Sequence, residues 1–170
     1  MAIVEDVSSA VAAAGKGASV VQLRAPHAPT RELVGMAAEL VTRLTVPLVV
    51  SSRVDAVLAA GAAGVNLPER DISVAAARQL LGPGLVVGRS VHSLEAGLLA
   101  AHEGADYVIF GPVFATPSHA HVPAAGLAEL SRVAAALPVP VIAIGGLNAE
   151  RVRECLEAGA GGYAGISMFR

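Results

Sequence analysis

Seven short β-branched runs recur along the chain, separated by Ala- and Leu-rich stretches. They are VVQLR (20–24), PLVVS (47–51), GVNLP (64–68), LVVGR (85–89), DYVIF (106–110), PVIAI (140–144) and GYAGI (162–166). This alternation constrains the fold more than any other feature. The runs are almost continuously apolar, the pattern of strands covered on both faces. The intervening stretches carry helical spacing, as in Leu33, Val34, Met36, Ala37, Leu40 and Val41, with Thr30 as the expected N-cap behind Pro29. Ser93-Leu94-Glu95 and Asn148-Ala149-Glu150 open two further helices, and a first helix begins near Glu5. Gly61-Ala62, Gly104-Ala105 and Gly159-Ala160 turn helices back into strands through a glycine able to adopt the left-handed conformation. Steady strand–helix alternation predicts parallel strands joined by right-handed crossovers.

An open doubly wound sheet and a closed barrel both satisfy that pattern. No G-x-G-x-x-G follows the first run, which argues against a dinucleotide-binding open sheet. Polar or small residues end most of the runs: Arg24, Ser51-Ser52, Asn66, Arg89-Ser90, Gly145-Gly146 and Ser167. Such residues at most strand ends, rather than at one crevice, favour a TIM (β/α)8-type barrel. One barrel domain spanning residues 1–170 is expected. The count falls short by one strand: seven runs are visible where eight are needed. The expected barrel is therefore truncated, with its first strand short or missing and its last helix missing. Either Ala2-Ile3-Val4 forms a stub between VVQLR and GYAGI, or a second copy covers the seam, since bare strand edges invite pairing. A homo-oligomer is the expected state.

Composition removes other classes. With 54% hydrophobic and 15% charged residues the chain is not disordered. A net charge of −2, 3% aromatics and no Trp leave no footprint for nucleic acid or an anionic membrane. One cysteine, Cys155, rules out an internal disulfide and a multi-cysteine zinc site. No apolar run reaches the ~18–20 residues of a membrane helix, and the acidic MAIVED start is unlike a signal peptide. A cytoplasmic location is expected. Of the twelve basic residues eleven are Arg, and Lys16, in a G-K-G turn, is the only Lys.

Chemistry concentrates at the strand ends. Gly145-Gly146 and Gly165-Ile166-Ser167 close the last two runs, where barrels commonly hold a phosphate on backbone N–H groups. The segment after DYVIF runs for roughly 15 residues without periodicity, the length of a lid or binding loop. It carries Thr116, Ser118, His119 and His121, which could donate to an anion or shuttle a proton. Arg24 ends its strand and Gln22 faces the same way by the two-residue period; an Arg there grips carboxylate or phosphate bidentately, or forms a structural ion pair. Ser90 and His92 lie at another strand end, where a neutral His serves as general base or as helix cap. Asp71 is an isolated carboxylate, so no metal constellation is visible.

The segments VVQLR, SSRVDAVLAAGAAGVNLP, GRSVHSLEAG, GADYVIFGPVFATPS, PVPVIAIGGLNAE and AGISMF together resemble the thiamine phosphate synthase superfamily, over nearly the whole chain. The resemblance implies a (β/α)8 barrel in thiamine biosynthesis acting on a phosphorylated thiazole. Its synthase branch joins a pyrimidine pyrophosphate to a thiazole phosphate; its TenI-like branch is a thiazole tautomerase that aromatises the thiazole precursor.

Departures from the two branches bear on the choice. Synthases carry Asn-Asp, the Asp a magnesium ligand, where this chain has Ser51-Ser52. They carry one Lys where Pro26 stands and another where His119 stands. Asp71 matches the second magnesium aspartate, so magnesium is expected only in the synthase reading and no cofactor in the other. GRSVHS and Asn66-Leu67-Pro68 look like the tautomerase branch, although Pro112 replaces that branch's catalytic His. The expected reading is a metal-independent tautomerase. In it Gly145, Gly146, Ile166 and Ser167 hold phosphate and Arg24 holds a carboxylate, assisted by Gln22, Ser90, Thr116 and Ser118. His119, His121 or His92 moves the proton. Synthase activity, or binding without turnover, is the alternative.

Overall fold

The computed structural model describes residues 1–116 and 122–169. Among the described residues eight strands alternate with seven helices. The strands are β1 (Ala2–Val4), β2 (Val21–Leu23), β3 (Leu48–Ser51), β4 (Gly64–Leu67), β5 (Val86–Val91), β6 (Tyr107–Phe110), β7 (Val141–Ile144) and β8 (Gly162–Ala164). The helices are α1 (Val7–Gly15), α2 (Thr30–Arg43), α3 (Val54–Ala60), α4 (Val74–Leu81), α5 (Leu94–His102), α6 (Gly126–Ala136) and α7 (Ala149–Glu157). A 3-10 turn at Ser167–Phe169 follows β8.

All strand pairs are parallel and follow chain order from β1 to β8. Each of the seven runs read from the sequence forms a strand; six are shortened by a residue or two, whereas β5 starts one residue late and continues to Val91. The expected count of seven is corrected to eight. Ala2-Ile3-Val4 pairs in register with Val21-Gln22-Leu23, and Ala2 forms a parallel bridge to Gly165. The Ile3 N–H donates to the Gly165 carbonyl at 3.0 Å, and the Met1 ammonium donates to the Tyr163 carbonyl at 2.8 Å. The stub offered by the sequence therefore fills the gap between β2 and β8; it was left out of the count of runs because three residues are too few to show a period.

The helix openings expected at Ser93 and Asn148 form, and the N-cap expected at Thr30 does not. Asp6, Ser73, Ser93 and Asn148 each accept the N–H three residues ahead, opening α1, α4, α5 and α7. Thr30, expected as N-cap of α2, is instead its first residue; Pro29 holds the cap position without a side-chain bond. The Thr30 hydroxyl accepts from Arg53 Nη2 at 3.0 Å. Gly61, Gly104 and Gly159 have φ of 70°, 94° and 98°, the left-handed turns expected of them.

Register separates the two faces of the sheet. One face carries Val4, Val21, Leu23, Val50, Val65, Leu67, Val87, Phe110 and Val141, packed with Ala10, Leu33, Leu40, Val57, Ala77 and Leu130 of the helices. The other face lines the lumen with Ile3, Gln22, Val49, Ser51, Asn66, Gly88, Ser90, Tyr107 and Ile109. At its base Tyr107 lies across Gly88, its register partner: a Cβ on Gly88 would sit 2.1 Å from Tyr107 Cζ. Above that layer the lumen is polar. Gln22 Nε2 donates to Ser51 Oγ at 2.6 Å and Asn66 Nδ2 donates to Ser90 Oγ at 3.0 Å. Gln22 Oε1, Asn66 Oδ1 and the Tyr107 hydroxyl are buried without a protein partner among the described residues.

Candidate functional site

At the C-terminal end of β6, β7 and β8 the loops enclose a cavity of about 390 Å³. Its wall joins Gly111, Pro112 and Thr116 from the segment after β6, Gly145 and Gly146 after β7, and Ile166 and Ser167 after β8. The two glycines are demanded by close approach. Gly146 has φ of 64°, and a Cβ there would sit 2.5 Å from the Ala115 carbonyl oxygen. A Cβ on Gly145 would sit 2.6 Å from Pro112 Cα. Two glycines in left-handed backbone thus let the β7–α7 turn lie flat against the β6 loop. The Val113 and Phe114 N–H groups donate across this seam to the Ile144 and Gly145 carbonyls, at 2.8 and 3.1 Å.

His92, at the end of β5, stands on the same wall. Its Nδ1 is 2.5 Å from the Gly111 carbonyl, and its Nε2 is 3.8 Å from Glu69 Oε2. Arg89 faces outward and donates to the Glu69 and Ile72 carbonyls at 2.6 Å each, holding the loop that carries Glu69 and Asp71.

The structure brings together His92, Thr116, Gly145, Gly146, Ile166 and Ser167. Gln22 and Ser90 lie in the lumen, where both hydrogen-bond to neighbouring strands. Arg24 is exposed and lines an adjoining cavity of about 470 Å³ with Asp6, Lys16 and Phe169, meeting the first cavity at Ile166. Ser118, His119 and His121 lie outside the described residues. Cys155 is buried in α7, and burial pushes its thiol up, away from the reactive thiolate.

One contributor escaped the sequence reading. Arg151, in the first turn of α7, lines the cavity, donates from Nη1 to the Gly146 carbonyl at 2.6 Å and lies 4.6 Å over the Phe114 ring. Its signal was present in Asn148-x-x-Arg151, because a helical side chain leans back over the turn before it.

The magnesium implied by the synthase resemblance lacks a matching donor set. Asp71 Oδ1 accepts its neighbour's Ile72 N–H at 2.8 Å, and Ser51 Oγ is taken by Gln22. No cluster of three or more His, Cys, Asp or Glu side chains forms among the described residues. One carboxylate and two hydroxyls do not fit a protein-built divalent site.

An eight-stranded parallel barrel with a glycine-walled cavity at its C-terminal mouth belongs to the (β/α)8 class, whose sites lie at that end of the strands. The profile described as thiamine monophosphate synthase matches residues 2–169, and the chain belongs to that family. It is 44% identical over 161 residues to the thiamine-phosphate synthase of Methanoculleus marisnigri, covering 92% of this chain and 76% of that protein. It is 43% identical over 159 residues to the thiamine-phosphate synthase of Anaeromyxobacter dehalogenans, covering 92% and 72%. The solved thiamine phosphate pyrophosphorylase from Pyrococcus furiosus superposes with a TM-score of 0.86 at 35% identity, covering 98% of this chain and 84% of that one. Thermotoga maritima FabK, with a TM-score of 0.81 at 17% identity, shares the fold alone. The protein is thus one of thiamine biosynthesis. No helix among the described residues is long and apolar enough to cross a membrane.

Proposed function

We propose that the protein joins a phosphorylated thiazole to a pyrimidine pyrophosphate, the synthase reaction, with the thiazole phosphate seated in the β6–β8 cavity. The carrying observation is the convergence of the Gly145-Gly146 and Gly165–Ser167 turns on one cavity large enough for a small ring and its phosphate. Relatives named thiamine-phosphate synthase at about 40% identity support this reaction over the tautomerase expected from the sequence.

The chemistry agrees with Pro112. In the coupling the thiazole ring nitrogen attacks the pyrimidine methylene carbon, and the carbon–oxygen bond to pyrophosphate breaks. The electron pair leaves with pyrophosphate and the nitrogen becomes cationic. No proton is abstracted, so the reaction asks for positioning and charge rather than a base. A tautomerase moves a proton and needs one; on the described wall only His92 could serve. The lumen above Tyr107 offers Gln22, Ser51, Asn66 and Ser90 to a polar heteroaromatic ring. A resident metal is not part of the proposal, because Asp71 stands without a second carboxylate.

Incubation of the protein with both substrates, followed by mass spectrometry, tests the proposal. Thiamine phosphate and one equivalent of pyrophosphate are expected. Aromatisation of a dihydrothiazole phosphate with no coupling would restore the tautomerase reading instead.

A further inference from the structure

We infer that Arg151 reads the phosphate of the ligand, its guanidinium fork gripping the phosphate oxygens at the edge of the β6–β8 cavity; the inference rests on the reading that this cavity takes a phosphorylated thiazole. Arg151 is the one permanently charged side chain on the described wall, which contains no carboxylate. It forms no ion pair among the described residues, whereas Arg43, Arg53, Arg78 and Arg132 each meet a carboxylate.

Its position is fixed from two sides. One N–H donates to the Gly146 carbonyl, and the guanidinium carbon lies over the Phe114 ring, 4.6 Å from its centroid. These contacts come from the turn after β7 and the loop after β6, the two segments that wall the cavity. Of the five N–H bonds of the fork, only that to Gly146 has a protein acceptor among the described residues. A stacked, anchored guanidinium has lost most of its rotamer freedom before the ligand arrives, so its remaining donors bind a planar or tetrahedral oxyanion at little entropic cost. Among the described residues the other side chains that can donate into the cavity, His92, Thr116, Asn148 and Ser167, carry no permanent charge. A doubly charged phosphate bound there leaves its charge to Arg151.

Calorimetric titration of the full chain with thiazole phosphate and with the unphosphorylated thiazole alcohol tests this, using wild type, Arg151→Gln and Arg151→Lys. Wild type is expected to bind the phosphate form more tightly; failure to bind it overturns the functional reading and, with it, this inference. Given wild-type binding, Arg151→Gln is expected to weaken the phosphate form roughly 10- to 100-fold, the worth of a charge-assisted hydrogen bond, and to change the alcohol less than about twofold. Arg151→Lys, which keeps the charge without the fork or the stack, is expected to recover part of the loss. Parallel loss of both ligands in Arg151→Gln would assign Arg151 to loop architecture and overturn the inference, as would an unchanged phosphate affinity. Should the Gln variant fail to fold, the Lys variant decides: wild-type affinity for the phosphate form overturns the role of the fork.

Discussion

His92 Nδ1 meets the Gly111 carbonyl at 2.5 Å, tying the end of β5 to the first residue of the β6 loop. A carbonyl only accepts, so Nδ1 carries the proton. His92→Ala removes that donor and leaves the half-enclosed carbonyl without its partner, an expected loss of about 1 kcal/mol. His92→Asn places an amide N–H near the Nδ1 position and is expected to restore most of it. Thermal unfolding measures both, and an Ala variant as stable as wild type would show that this bond does not secure the loop.

Gly146 sits where any Cβ meets the Ala115 carbonyl, in left-handed backbone. Gly146→Ala is expected to cost about 2 kcal/mol, from backbone strain together with the displaced loop. The β6 loop must move to admit the methyl, so thiazole phosphate binding falls at least tenfold. A variant that binds normally would mean that the two loops close on each other without serving the ligand.

Tyr107 fills the base of the lumen, but its hydroxyl has no protein partner among the described residues, and burial pushes that hydroxyl up. Tyr107→Phe removes an unsatisfied polar atom and is expected to be neutral or to stabilise by about 1 kcal/mol. Gly88→Ala inserts a methyl into the Tyr107 ring and is expected to cost about 1–3 kcal/mol. Combining Gly88→Ala with Tyr107→Leu should cost less than the sum, because the two positions share one volume. Additive losses would place Tyr107 away from Gly88.

Asp6 caps α1 and is held down to about 2, below its ordinary 3.8, by the Ser8 hydroxyl, then by the Ser9 N–H and hydroxyl. A carboxyl lowered in the folded state stabilises fully above its ordinary value, and that contribution is lost as pH falls through about 2. Unfolding free energies from urea titrations of wild type and Asp6→Ala should differ by about 1 kcal/mol at pH 7, the worth of an N-cap. The two should converge as the pH drops from 3.8 toward 2. A gap that persists at pH 2 would locate the cap's value in something other than the ionised carboxylate.

Much of the barrel was legible in the sequence because its signals are local. Apolar runs, caps such as Ser93 and Asn148, and left-handed glycines at 61, 104 and 159 each declare themselves within a few residues. The stub Ala2–Val4 did not, because its strand character comes from partners 19 and 163 positions away, at Val21 and Gly165. The glycine turns of the cavity were readable for the same local reason. Arg24 shows the limit: residue type left ligand contact and a structural ion pair both open, and it did not say that Arg24 would line the adjoining cavity, which meets the first at Ile166. Arg151 was missed because its meaning arises from Phe114 and Gly146 meeting around it. Pro112 was read as a lost base, a difficulty that the proposed coupling, which abstracts no proton, does not meet.

The bridge between Ala2 and Gly165 also orders events in time. β1 finds its second neighbour only when β8, more than 150 residues further on, has emerged from the ribosome, so until then the nascent barrel is an open sheet. Closure is then a single late step of very long range, the kind that slows folding and exposes edges to wrong partners. Weakening β1 should therefore show itself first as slow, aggregation-prone folding, before any loss in the finished barrel's affinity for its ligand.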